Sequence, residues 1–145
     1  MEESLVIEGY ASLFGVEDLA GDVVRAGAFA RTWRRRGEVR MLLSHIDEKL
    51  AGRCTMRRED GRGLFVRGLV SGETPAGRAA LKLIGEGTMD GLSIGFVATG
   101  WSPRVSRGRD LREMELREIS LVTSPMLPGA SFSAPGVFSH KRVAA

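Results

Sequence analysis

Apolar and polar residues alternate with period two along most of this chain, the pattern of strands with one buried and one wet face. Residues 5–13 read as a first strand, and the acids and glycines of residues 15–22 read as a loop. Gly27-Ala28-Phe29 opens a short helix that runs to Arg36, where Gly37 can end it. Residues 39–45 alternate again, with Val39, Met41, Leu43 and His45 on one face, which predicts that His45 lies in line with buried side chains. Asp60-Gly61, between residues 53–59 and 64–70, is the strongest hairpin signal. Thr74-Pro75 supplies a cap and a first-turn proline, so a helix is expected from Ala76 to about Ile84, stopping near Gly85 or Gly87. A strand follows over residues 92–101, then a polar excursion over 102–108 that is expected to be mobile.

The last strong element covers residues 111–123. Glu113, Glu115 and Arg117 share one face, Met114, Leu116 and Glu118 the other, and Ile119, Leu121 and Val122 then make both faces apolar. Without a bulge, Glu118 is the carboxylate that points inward, and a buried carboxylate needs a partner. From Ser124-Pro125 onward the chain turns to Pro, Gly, Ser and Ala. The expected organisation is therefore one domain over residues 1–125 and a loosely ordered tail over 126–145.

With 145 residues and 43% hydrophobic content, the chain suits a single domain with its own core. One cysteine, Cys54, excludes an internal disulfide, and one cysteine with two histidines is too poor a set for structural zinc. No metal or cofactor is expected. Glu2, Glu3, Glu8, Glu17 and Asp18 interrupt any apolar run near the start, so neither signal peptide nor membrane span is expected, and the cytoplasm is the expected compartment. The net charge is +3, with arginines densest at Arg31 and Arg34-Arg35-Arg36. Such a cluster can hold phosphate or an acidic partner, but no aromatic residues interleave for base stacking, which favours a solvated helix face over nucleic-acid binding.

Ser93, in Gly91-Leu92-Ser93-Ile94-Gly95, presents a hydroxyl on a bare backbone and is a candidate nucleophile. A serine hydroxyl needs a neutral imidazole to take its proton and a carboxylate to hold the ring, roles that fall to His45 and Glu118. Each residue also has a structural explanation taken singly: a tight strand entry, a satisfied core histidine, a paired acid. Their combination favours acyl transfer. Cys54 reads as a buried structural thiol and His140 as an inert tail residue. The Gly-x-Ser-x-Gly spacing also matches the α/β-hydrolase elbow, but there the serine follows a strand and precedes a helix, the reverse of the order here.

Six segments in order resemble the prohead (capsid maturation) proteases of tailed bacteriophages and gene transfer agents, which share a fold with herpesvirus assemblins. They are Glu8-Gly9-Tyr10-Ala11-Ser12-Leu13-Phe14, Asp18-Leu19-Ala20-Gly21-Asp22-Val23-Val24, Gly27-Ala28-Phe29, Leu43-Ser44-His45 with Ala51-Gly52-Arg53, Gly91-Leu92-Ser93-Ile94-Gly95-Phe96, and Glu118-Ile119-Ser120-Leu121-Val122-Thr123-Ser124-Pro125. The resemblance implies an α+β, mainly β class, an assemblin-like closed β-barrel with flanking helices. It also implies a serine endopeptidase acting inside the assembling procapsid on the scaffold segment of the major capsid protein precursor, and on itself. The family's histidine falls on His45 and its serine on Ser93. Assemblins use a second histidine as third member, whereas the phage enzymes are thought to use an acid, which falls on Glu118. Assemblin-like enzymes often dimerise, so a homodimer is part of the expectation. Two departures touch loop shape: no proline precedes Gly52, and Met126-Leu127-Pro128-Gly129 stands where relatives often end in Asn-Pro. A catalytically silent capsid-assembly or scaffold-binding module of the same fold is the alternative.

Overall fold

The computed structural model describes residues 3–34 and 39–135. In chain order these form β1 (Ser4–Leu13), β2 (Val23–Val24), a 3-10 helix (Ala30–Arg34), β3 (Arg40–Leu43), β4 (Ile46–Glu59), β5 (Gly63–Ser71), α1 (Pro75–Gly85), β6 (Gly91–Pro103), β7 (Arg109–Val122) and β8 (Ser131–Ser133). The strands follow the order β7-β3-β4-β5-β1-β8-β6, and β6 pairs back onto β7, so seven strands close a barrel with β2 added outside the ring. Closure leaves the core strands without a free edge. Ile7, Leu64, Val66, Val70, Leu92, Ile119 and Leu121 fill the interior, with Phe29 brought in from the segment before the 3-10 helix.

Local signals set the connections. Asp60 Oδ1 accepts the Arg62 and Gly63 backbone N–H groups, closing the β4–β5 hairpin at the expected place, and the Tyr10 hydroxyl donates to Asp60 Oδ2 at 2.6 Å. Thr74 caps α1 as its sequence predicts, its hydroxyl oxygen accepting the Gly77 N–H at 2.9 Å, with Pro75 in the first turn.

Four expectations change. First, residues 39–45 do not run straight through as a strand. β3 ends at Leu43, and Leu43 pairs with Ile46 across a two-residue turn in which Ser44 (φ 55) and His45 (φ 64) are both left-handed. That is the geometry of a type I′ hairpin, and it lifts His45 out of line with the buried side chains. Second, the β6–β7 ladder shifts between Gly95 and Phe96, which oppose Glu118 and Leu116. Arg117 is the extra residue of a bulge, so the alternation flips there and Glu118 does not share the face of Met114 and Leu116. Third, the 102–108 excursion is clasped. Arg104 donates to Glu17 and to the Gly21 carbonyl, and Arg107 to Glu17 and the Leu19 carbonyl. Fourth, the chain beyond residue 125 returns to the sheet: β8 pairs with β1 and touches β6, burying Ala130 and Phe132. Gly9 makes this approach possible, because a Cβ there would lie 2.0 Å from the Ser131 carbonyl oxygen. The tail residues 136–145, His140 included, lie outside the described residues, as do the side chains of Arg34, Arg35 and Arg36.

The clasp includes an ion pair whose acid is buried and whose arginine is partly exposed. Asp22 takes the Arg109 backbone N–H and its guanidinium, both at 2.8 Å, and these bonds hold the Asp22 carboxyl below its ordinary value of 3.8 against the opposing effect of burial. A depressed folded-state pKa contributes stability at neutral pH that is lost as the pH falls through that depressed value. Asp22→Asn is therefore expected to lower unfolding free energy by about 1.5–3 kcal/mol at pH 7. Denaturant titrations should show the gap to wild type closing as the pH drops below 3.8. Equal stability at pH 7 would contradict the assignment.

Candidate active site

Five residues, Ser93, Gly95, Glu118, Ser120 and His45, converge where β6, β7 and the β3–β4 turn meet. In the β6–β7 ladder Ser93 faces Ser120 and Gly95 faces Glu118, while the alternate pairs Leu92–Leu121 and Ile94–Ile119 turn into the core. Period-two alternation therefore puts Ser93, Gly95, Glu118 and Ser120 together on the outer wall of the barrel. β3 runs parallel to β7 on its other side, with Leu42 beside Ser120 and Leu43 beside Leu121. This register carries the Ser44–His45 turn over that wall. The Ser44 N–H donates to the Leu121 carbonyl and the His45 N–H to Ser120 Oγ, each at 3.0 Å.

The His45 ring lies with Nδ1 at 2.6 Å from Glu118 Oε1, and the Ser120 hydroxyl donates to Glu118 Oε2 at 2.7 Å. An ionised carboxylate can only accept, so Nδ1 carries the proton of that bond, and the lone pair of the neutral imidazole is on Nε2. The His45 side chain is 43% exposed and the Glu118 side chain 13%. The acid is sheltered and the base faces outward. Gly95 makes room for the carboxylate: a Cβ there would sit 2.3 Å from Glu118 Oε1. Ser93 is 8% exposed and Ser120 fully buried, with its hydroxyl hydrogen engaged by Glu118. Of the two serines, only Ser93 has a hydroxyl free to react. Hydrogen-bonding distance closes the His45–Glu118 and Glu118–Ser120 links but not a Ser93–His45 link; catalytic bonds of this kind often tighten only with substrate bound.

Other candidates fall away. The Cys54 thiol donates to the Met56 carbonyl, and burial pushes its pKa up, the opposite of what a thiolate nucleophile needs. Among the described residues no group of three or more His, Cys, Asp or Glu could hold a metal ion, and no helix is long and apolar enough to cross a membrane. Arg31, the first arginine of the basic segment, pairs with Glu113 at 2.9 Å. Two adjoining depressions of about 270 and 360 Å³ share Leu50 and Thr74 as lining, but His45, Ser93 and Glu118 line neither of them.

A family model described as caudovirus prohead serine protease matches residues 1–143. The chain belongs to that family. It is 36% identical over 136 residues to the prohead protease of Enterobacteria phage HK97, covering 89% of this chain and 59% of that relative. The chain thus spans about three fifths of the length of the curated relative. Among solved structures, the KSHV protease in complex with a hexapeptide phosphonate inhibitor is similar with TM-score 0.64 and 13% identity, over 91% of this chain and 65% of that one. The varicella-zoster virus protease matches with TM-score 0.60 and 14% identity, over 91% and 64%. At such identities the likeness is one of fold, and it bears out the assemblin-like barrel.

Within this prohead-protease barrel, two features of the wall were not picked out from the sequence: Ser120, and the role of Gly95. Glu118-Ile119-Ser120 does hold a signal, because residues two apart on a strand share a face. In Gly95→Ala the new methyl meets a flexible carboxylate rather than backbone, so the fold is expected to persist while Glu118 is driven off His45. Proton NMR should then lose the hydrogen-bonded Nδ1–H resonance of His45 with little change in the thermal midpoint; a retained resonance would contradict this placement.

Proposed function

We propose that this chain is a capsid-maturation serine endopeptidase in which Ser93 is the nucleophile, His45 the general base and Glu118 the carboxylate that orients it. The observation that carries the reading is the 2.6 Å contact of His45 Nδ1 with Glu118, beside a serine one strand away, in a member of the prohead serine protease family. Ser93 Oγ attacks the scissile carbonyl and gives its proton to His45 Nε2. Glu118 holds the ring in that tautomer and stabilises the imidazolium that forms. The imidazolium then returns the proton to the departing amine, leaving an acyl-enzyme that water cleaves by the same route.

The substrate we propose is the scaffold segment of the major capsid protein precursor, with the enzyme itself as a second target, cleaved inside the assembling procapsid. The assemblin resemblance adds a homodimer to the proposal, which sedimentation of the purified chain measures directly.

Co-expression with the neighbouring major capsid protein precursor, read by intact mass, tests the reading. Loss of a discrete N-terminal fragment with wild type but not with Ser93→Ala is expected. Identical masses in both, with folded enzyme present, would instead favour the silent assembly module. Glu118→Gln is expected to lower kcat by about a hundred- to ten-thousandfold, because the ring loses its anchoring charge. A kcat within twofold of wild type would remove Glu118 from the mechanism.

A further inference from the structure

Ser120 stands where three strands cross. Its neighbour across β6 is Ser93, its neighbour across β3 is Leu42, and Glu118 lies two residues before it on the same face. The side chain is fully buried, and both capacities of its hydroxyl are used: the oxygen accepts the His45 backbone N–H at 3.0 Å and the hydrogen goes to Glu118 Oε2 at 2.7 Å. One hydroxyl therefore touches the acid through its side chain and the histidine through its backbone. No ladder bond can serve the second purpose. The left-handed conformation of Ser44 turns the following His45 N–H away from the regular parallel pattern, which ends at Ser44 N–H on the Leu121 carbonyl.

We propose that Ser120 is the positioning residue of this site, a clamp that fixes the Glu118 carboxylate and the His45 turn in one arrangement so that Nε2 of the imidazole is presented toward Ser93. The inference rests on the triad reading above. Without the clamp the carboxylate is free to rotate about its side chain, and the turn loses one of its two backbone anchors on β7. Both changes spread the ring over several orientations, only one of which can accept the Ser93 proton. Ser120 is fully buried and cannot touch a bound peptide itself, so the loss falls on kcat and leaves KM nearly unmoved.

Threonine and valine at this position differ only in having or lacking the hydroxyl, so Ser120→Thr and Ser120→Val form the decisive pair. The substrate is a fluorogenic peptide spanning the junction that co-expression identifies. The Val variant is expected to show a kcat about ten- to a hundredfold below the Thr variant, at KM values within about twofold, the size of one hydrogen bond to a charged group. Adding Glu118→Gln to each should shrink that ratio toward one, since a residue that acts through Glu118 has nothing left to position. Equal kcat for the Thr and Val variants, or the same ratio with and without Glu118→Gln, overturns the proposal. Ser93→Ala with undiminished cleavage would instead overturn the triad reading beneath it. Should the Val variant fail to fold, Ser120→Ala takes its place with the same expected ratio and the same overturning outcomes.

Discussion

Two consecutive non-glycine residues in the left-handed region, Ser44 and His45, are the constraint on which this site depends. Each costs about 1–2 kcal/mol relative to ordinary backbone, so the turn persists only because its surroundings over-determine it. The determinants are identifiable. β3 is held beside β7 by a parallel ladder, the Ser44 N–H continues that ladder to Leu121, and Ser120 takes the His45 N–H. The ring is thereby delivered over the β6–β7 wall from a third strand. A glycine-based turn would make the same hairpin at lower cost, but a glycine at position 45 has no imidazole to offer.

The wall itself separates core from chemistry by strand alternation. Leu92, Ile119 and Leu121 hold the barrel together on one face, and Ser93, Glu118 and Ser120 occupy the other. The bulge at Arg117 is what permits this, because it shifts the parity of β7 just before Glu118. Met114 and Leu116 can then pack inward upstream while the carboxylate comes out downstream. Charge is thus kept off the apolar interior without giving up shelter, since the overlying turn shields Glu118 from most of the solvent.

Elements with local causes were legible in the sequence. Thr74-Pro75 and Asp60-Gly61 act through backbone groups within a few residues, and both read true. Ser93, His45 and Glu118 were nominated from residue chemistry and resemblance; the structure brings His45 and Glu118 into contact, with Ser93 one strand away. The misreadings have long-range causes. Nothing in Leu43-Ser44-His45-Ile46 announces a left-handed turn, because neither central residue is Gly, Asn or Asp; the conformation is imposed by β7. The Arg117 bulge is a property of the β6–β7 pair rather than of either strand alone. Likewise the clasp of residues 102–108 depends on Glu17 and Gly21, more than eighty residues away in the chain. β8 is three residues long, too short for any periodicity to register.

Whether this wall activates Ser93 through His45 can be read by treating the folded chain with an alkyl fluorophosphonate and locating the adduct by peptide mass spectrometry. A single phosphonylated residue, Ser93, is expected, with labelling lost in His45→Ala. No adduct on folded protein, or an adduct on another serine such as Ser44 or Ser120, would contradict it.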